Sequence, residues 1–246
     1  MKGIIWYFLE KDKMRKMKQL LFTVLATVSV LSVTAQKRPT AFLELGGFGM
    51  TQNYLGDVNN RSLSAFSQEA RPGVGLQLKY NFSSLFSVGG EVNFSNLYSH
   101  DNLHGNANRD YIVSTELLQM GAFTNFHFIP FGKYNRRNGH TPFLHAGINA
   151  VTFQPDLNTS AQYPDEIDLH PGTGTTFSYT LGCGWRIRKS LKSFVNVGVF
   201  YSGFGTSHIE GFDFTEDHLT ADPTARNTMD GCLTLRLGMS LGFFEQ

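Results

Sequence analysis

From Val74 to Phe94 the chain reads VGLQLKYNFSSLFSVGGEVNF, and nearly every second residue is apolar. Val74, Leu76, Leu78, Tyr80 and Phe82 alternate with Gly75, Gln77, Lys79 and Asn81. After the break at Ser83 and Ser84, Phe86, Val88, Gly90, Val92 and Phe94 alternate with Ser87, Gly89, Glu91, Asn93 and Ser95. A two-residue period places the two sets on opposite faces of a β-strand, and the short polar gap predicts a hairpin. The two faces then need different surroundings, either an oily core and water or lipid and a polar interior.

The same alternation recurs along the chain. It predicts strands over Thr40–Met50, Pro72–Phe82, Leu85–Tyr98, Tyr111–Phe128, Pro142–Phe153, Thr176–Ile187, Phe194–Tyr201 and Met229–Phe244. The sixth is a clear case: Phe177, Tyr179, Leu181, Cys183, Trp185 and Ile187 oppose Ser178, Thr180, Gly182, Gly184 and Arg186. Eight strands is an even number, and the connections alternate between long and short. Long loops on one rim and short turns on the other predict an all-β, eight-stranded, antiparallel up-and-down transmembrane β-barrel. The turn Ile129–Thr141 is the exception, being long for its rim.

Composition decides between the two surroundings. Only 17% of the residues are charged, against roughly 25% in an ordinary soluble protein, while aromatics reach 13% and there are 25 glycines. A water-facing surface is rich in Lys and Glu; here the polar face is mostly small and uncharged, which suits the narrow inside of an eight-stranded barrel. Aromatics also gather at both ends of the apolar face. Tyr80, Phe82, Phe86, Phe126, Phe128, Trp185 and Phe243 fall near the short-turn rim; Phe94, Tyr98, Phe177, Tyr179 and Tyr201 fall near the long-loop rim. Two such belts mark membrane–water interfaces. A lipocalin-like soluble barrel, with its apolar face inward, fits this pattern less well.

The N-terminus carries a basic stretch from Lys11 to Lys18, an apolar stretch from Leu20 to Val33, and Ala35 before Gln36. That order predicts a secretory signal peptide, with residues 1–35 as extension and signal, cleavage after Ala35, and the barrel over 36–246. The apolar stretch is short for a spanning helix, and the upstream IIWYFL cluster points to a translation start at Met14 or Met17. Cleavage would leave 15 basic and 18 acidic residues, a formal charge of −3. No basic stripe, zinc spacing or phosphate-binding loop is present, so no nucleic-acid partner or cofactor is expected.

Parity turns Glu44, Lys79, Glu91, Arg186 and Arg236 inward. Buried charges without partners cost several kcal/mol, so these five are expected to pair across the interior and plug it. Cys183 and Cys232 fall on second-neighbour strands, near ~10 Å apart and beyond disulfide reach. Both are read as small residues on the apolar face or buried.

Several segments resemble a family of outer-membrane barrels from Bacteroidota. Asn53-Tyr54-Leu55-Gly56-Asp57, placed just after the first strand, resembles a motif near the start of that family. Phe126–Phe131 (FHFIPF) with Thr141–Gly147 (TPFLHAG) resembles its fourth strand, Pro-Phe turn and fifth strand, and Leu169–Gly174 (LHPGTG) is similar to its loop signature. The resemblance implies an outer-membrane barrel of largely unknown function. One branch of the family is the small barrel component of the type IX protein-secretion machinery, which would bring periplasmic secretion-ring proteins as partners. Near the C-terminus, Arg236-x-Gly238-x-x-Leu241-x-Phe243 resembles the β-signal read by the barrel-insertion machinery.

Other chemistry weighs less. Asp165, Glu166, Asp168 and His170 crowd one loop, and His208, Glu210, Asp213, Glu216, Asp217 and His218 another, but neither has the spacing of a dedicated calcium loop. Solvated loop charge is the better reading. Ser99-His100 and Ser207-His208 are chain neighbours, which on a strand point apart, and no nucleophile elbow is present. Lys133, Arg136 and Arg137 sit in the long turn on the periplasmic rim and form a candidate docking surface. The expectation is a non-enzymatic barrel, with both termini periplasmic, that scaffolds or anchors envelope partners among outer-membrane lipids and lipopolysaccharide. The alternatives are an OmpX-like adhesin or structural barrel acting through Thr51–Arg71, Gln154–Thr175 and Ser202–Thr228, and a lipid-modifying enzyme.

Overall fold

A computed structural model describes residues 41–55, 67–100, 111–131, 138–159, 167–169, 172–206, 208–214 and 230–243. Eight long strands close into one antiparallel barrel: β1 (Phe42–Leu55), β2 (Arg71–Asn81), β3 (Phe86–His100), β4 (Tyr111–His127), β5 (His140–Thr159), β7 (Gly174–Arg188), β8 (Ser193–Phe204) and β10 (Gly231–Phe243). Each pairs with its neighbour along the barrel, and β10 closes the ring on β1 from Leu43↔Phe243 to Leu55↔Gly231. Closure leaves no unpaired edge in the barrel sheet. Two short strands absent from the sequence reading, β6 (Ile167–Leu169) and β9 (Phe212–Phe214), pair with each other between the long loops. At three residues each they are too short for periodicity to reveal.

Alternation sorts every long strand by face. On β10, Leu235, Leu237, Met239, Leu241 and Phe243 are exposed, while Thr234, Arg236 and Ser240 are buried. On β2, Val74, Leu76, Leu78 and Tyr80 are exposed and Lys79 and Asn81 are buried. The apolar set is therefore outside the barrel and the polar set inside. On the short-turn rim the outward rings form a continuous chain, with Phe86–Phe126 centroids 5.0 Å apart and Phe126–Phe128 5.2 Å. On the other rim Tyr179 and Tyr201 lie 6.2 Å apart.

Two placements correct the sequence reading. Cys183 is exposed but Cys232 is fully buried, and both are free thiols. Cys232 shares the parity of Thr234 and Arg236, so it belongs to the inner face and not to the apolar outer one. Asn53-Tyr54-Leu55 does not follow the first strand but lies within it, because the pairing of β1 with β10 continues through Asn53↔Leu233 and Leu55↔Gly231.

The inner face is also less uniformly small and polar than its composition implies. Phe48, Phe123, Phe143, Phe153 and Phe200 all turn inward and are buried. Each faces a glycine on the adjoining strand: Gly75 and Gly238, Gly89, Gly184, Gly174 and Gly182 respectively. A Cβ added at Gly75 would lie 2.3 Å from Phe48, and one at Gly182 2.4 Å from Phe200. The missing side chain is what lets each ring lie flat against the wall. Single-strand periodicity cannot show this, because the pairing crosses between strands.

Candidate functional site: the barrel interior

The inner face divides into three layers. At the short-turn end Phe42, Phe131 and Phe194 form an apolar plug, with the Phe131 and Phe194 rings 5.6 Å apart. At the long-loop end Tyr54, Leu97, Leu117, Val151, Phe153, Phe204, Ile209 and Cys232 form a second. Between the plugs lies a layer of charge.

Two clusters make up that layer. Glu44 stands directly opposite Lys79 across the β1–β2 ladder, and Lys79 Nζ approaches its carboxylate at 3.0 Å. Arg186 reaches the same carboxylate from β7 across the lumen. Asn81 Nδ2 and Ser240 Oγ also donate to it, at 2.9 and 3.0 Å. Glu44 thus accepts from four donors, about the full capacity of a carboxylate. The Arg186 guanidinium is further held over the rings of Phe194 and Phe131, at 4.4 and 4.8 Å. The second cluster is a simple pair: Arg236 Nη1 donates to both oxygens of Glu91, at 2.8 and 3.1 Å. Phe200 and Phe48 pack on its guanidinium at 4.6 and 4.9 Å.

The family-like motifs map onto the ends of this interior. Phe131, from the FHFIPF stretch, builds the lower plug, and Arg188 as well as Arg186 stacks on it. Thr141, His145 and Phe143 of TPFLHAG are buried inside, as is His127. Tyr54 of the first motif donates its hydroxyl to Asp230, whose other oxygen accepts Ile209 N–H at 2.9 Å. Thr115 Oγ1 donates to the Ile209 carbonyl at 2.7 Å. Tyr54 therefore ties the loop segment at His208–Glu210 into the barrel mouth, a role invisible in the sequence because Asp230 and Ile209 are remote from it in the chain. Glu69 does the same for the first long loop, accepting from His100 N–H at 2.9 Å and Ser99 Oγ at 3.2 Å.

Of the β-signal residues, Arg236 is in the charge layer, Gly238 lies under Phe48, and Leu241 and Phe243 face outward. Gly56, Asp57, Lys133, Arg136 and Arg137 lie outside the described residues, as do most of the two acidic loop clusters. Among the described residues no group of three or more His, Cys, Asp and Glu side chains is placed to hold a metal.

Among the described residues, the arrangement encloses paired charge between two apolar clusters inside the barrel. Residues 18–222 match the family described as a domain of unknown function, DUF6089, and the chain belongs to that family. No curated protein matches it in sequence. In three dimensions it is similar to Neisserial surface protein A, with a TM-score of 0.48 at 10% identity over 82% of this chain and 97% of that one. It is also similar to OprG from Pseudomonas aeruginosa, at 0.43 and 13% over 85% and 98%. A third likeness is to Ail of Yersinia pestis, solved with the heparin analogue sucrose octasulfate, at 0.41 and 11% over 82% and 97%. The barrel assignment rests on the strand pairing above.

Proposed function

We propose that this chain is a bacterial outer-membrane barrel whose outer face meets lipid and whose function is non-enzymatic, anchoring or scaffolding partners in the envelope. The supporting observation is the exterior. Leu76, Ile148, Leu181, Leu237 and Met239, from four different strands, stand about 55–71% exposed on a closed wall. A soluble monomer rarely exposes an apolar patch above a few hundred Å², whereas a membrane barrel needs an apolar band around its whole circumference. In this reading the short turns and both termini are periplasmic. The turn containing Lys133, Arg136 and Arg137 then faces periplasmic partners, and the resemblance of the motifs makes the type IX secretion ring the first partner to test.

A second reading, an adhesin or structural barrel acting at the cell surface, is favoured by the order of the long-loop end. The β6–β9 pair and the Tyr54–Asp230–Ile209 contact build structure there beyond what closing the strands requires.

Fractionation tests the membrane placement: the protein should stay with the outer membrane through an alkaline wash and need detergent for release. A folded monomer in detergent-free buffer would overturn it. Crosslinking in the native envelope followed by co-purification then separates the two roles. A discrete periplasmic partner, lost on reversing the charge of Arg136 and Arg137, supports the scaffold. Loss of surface binding on deleting residues 160–173 or 215–228, which lie outside the barrel strands, supports the adhesin.

A further inference from the structure

The charge layer does not balance. Among the described residues, the interior between the plugs holds Lys79, Arg186 and Arg236 against Glu44 and Glu91, an excess of one positive charge. The other buried carboxylates, Glu69 and Asp230, are at the long-loop end and accept from the groups named above. Asp230 precedes Arg236 by six residues, roughly 20 Å along the strand, with the upper apolar plug at its level.

An interior cavity of about 40 Å³ opens beside the excess charge, lined among others by Lys79, Glu91, His127, His145, Asn196 and Arg236. One water needs about 10–15 Å³ of such space, so the cavity accommodates one halide-sized ion with a water. Its walls carry hydrogen-bonding atoms that meet no partner: Arg236 Nε, Asn196 Nδ2, both ring nitrogens of His127, and His145 Nε2. His127, His145 and Arg236 are each more than nine-tenths buried. Among these atoms Arg236 Nε–H, the Asn196 amide and one N–H of a neutral His127 are donors. Lys79 keeps donors beyond the one spent on Glu44. Water accepts only two hydrogen bonds, whereas a halide accepts four or more and brings the missing negative charge. The remaining imidazole nitrogens need a donor, which the accompanying water supplies. His145 Nδ1 is already engaged by Asn125 Oδ1 at 2.9 Å.

We propose that this chamber is an anion site holding one halide-sized anion between Lys79, Arg236, Asn196 and His127, which neutralises the barrel's interior. The titratable and charged groups facing it are Lys79 from β2, Glu91 from β3, His127 from β4, His145 from β5 and Arg236 from β10, with Glu44 of β1 and Arg186 of β7 bonded alongside.

The test refolds the purified protein in detergent with sodium bromide or with sodium gluconate at equal ionic strength, gluconate being too large for the cavity. Binding to the folded state alone stabilises by mass action, so the melting temperature should climb with the logarithm of bromide above its dissociation constant, by roughly 5–10 °C at about a hundred times that constant. Lys79→Met removes the excess charge and should abolish that rise. Crystals grown in bromide should show an anomalous peak among Lys79, Arg236 and His127. Equal melting in both salts, or an unchanged bromide response in Lys79→Met, overturns the proposal. So does a chamber whose density in bromide holds only water, the result expected if Lys79 were a neutral amine. Should Lys79→Met fail to fold, the anomalous map of the unaltered protein decides alone.

Discussion

Two charge clusters share one lumen and are built on different plans. In the lower one, a single carboxylate, Glu44, serves two cations and two neutral donors. In the upper one, Glu91 and Arg236 form a one-to-one pair cushioned by Phe48 and Phe200. Both contain a deeply buried Glu–Arg pair, to which the lower one adds Lys79. The difference lies in how many other elements each carboxylate joins: Glu44 links β1 to β2, β7 and β10, whereas Glu91 links only β3 to β10. A carboxylate that ties four strands fixes the register of the barrel base as well as its charge, so the two clusters should respond differently to loss of their anion.

The largest effect is expected for Glu44→Gln. It leaves Lys79 and Arg186 buried without a carboxylate and turns an amide N–H₂ toward donors. Removing one partner of a buried pair costs about 3–5 kcal/mol, and with two cations orphaned the upper end of that range applies. Urea unfolding of the refolded barrel, followed by the fluorescence of Trp185 on its outer face, measures the loss. A cost no greater than that of Glu91→Gln would erase the distinction between a hub and a pair.

How far these clusters were legible in the sequence follows from parity. Alternation alone turns Glu44, Lys79, Glu91, Arg186 and Arg236 inward, since each sits between apolar neighbours on a strand of period two. Assignment of partners needs register and closure, which belong to the sheet. Lys79 faces Glu44 only because β1 and β2 pair from Phe42↔Asn81 onward, and Arg186 meets it across a tube whose diameter the sequence does not state. The inward phenylalanines were hidden for the same reason. Phe48 and Phe200 read as exceptions on their own strands and become intelligible once Gly75 and Gly182 are seen opposite them. Cys232 was misplaced although its parity with Arg236 was available. Tyr54 could be read as part of a motif but not as the anchor of Asp230, which lies 176 residues away in the chain.

The upper pair sharpens the comparison at an intermediate scale. Glu91→Gln should cost about 3 kcal/mol, the lower end of the range for breaking a buried pair, because one cation is orphaned and the two rings still shield its guanidinium. The double change Glu91→Met with Arg236→Met should recover most of that loss, since replacing a whole buried ion pair by apolar groups is often near neutral. A double-mutant cycle reads the coupling between them. If the double variant is no better than Glu91→Gln, Arg236 has further partners in the layer and the pair is not the isolated unit described here.

The smallest effect should come from Lys79→Met, although Lys79 is as deeply buried as its partners and bonded to Glu44 at 3.0 Å. Deleting one member of an ordinary buried pair exposes an unpaired charge. Here Arg186, Asn81 and Ser240 continue to satisfy Glu44, and the change removes the one cation in excess. Measured without halide, the variant should therefore lie within about 1 kcal/mol of the unaltered protein, against the 3–5 kcal/mol of a broken pair. A loss of that larger size would mean that both cations are needed to offset the burial of Glu44, and that the lower cluster is a balanced triad in spite of its formal charge.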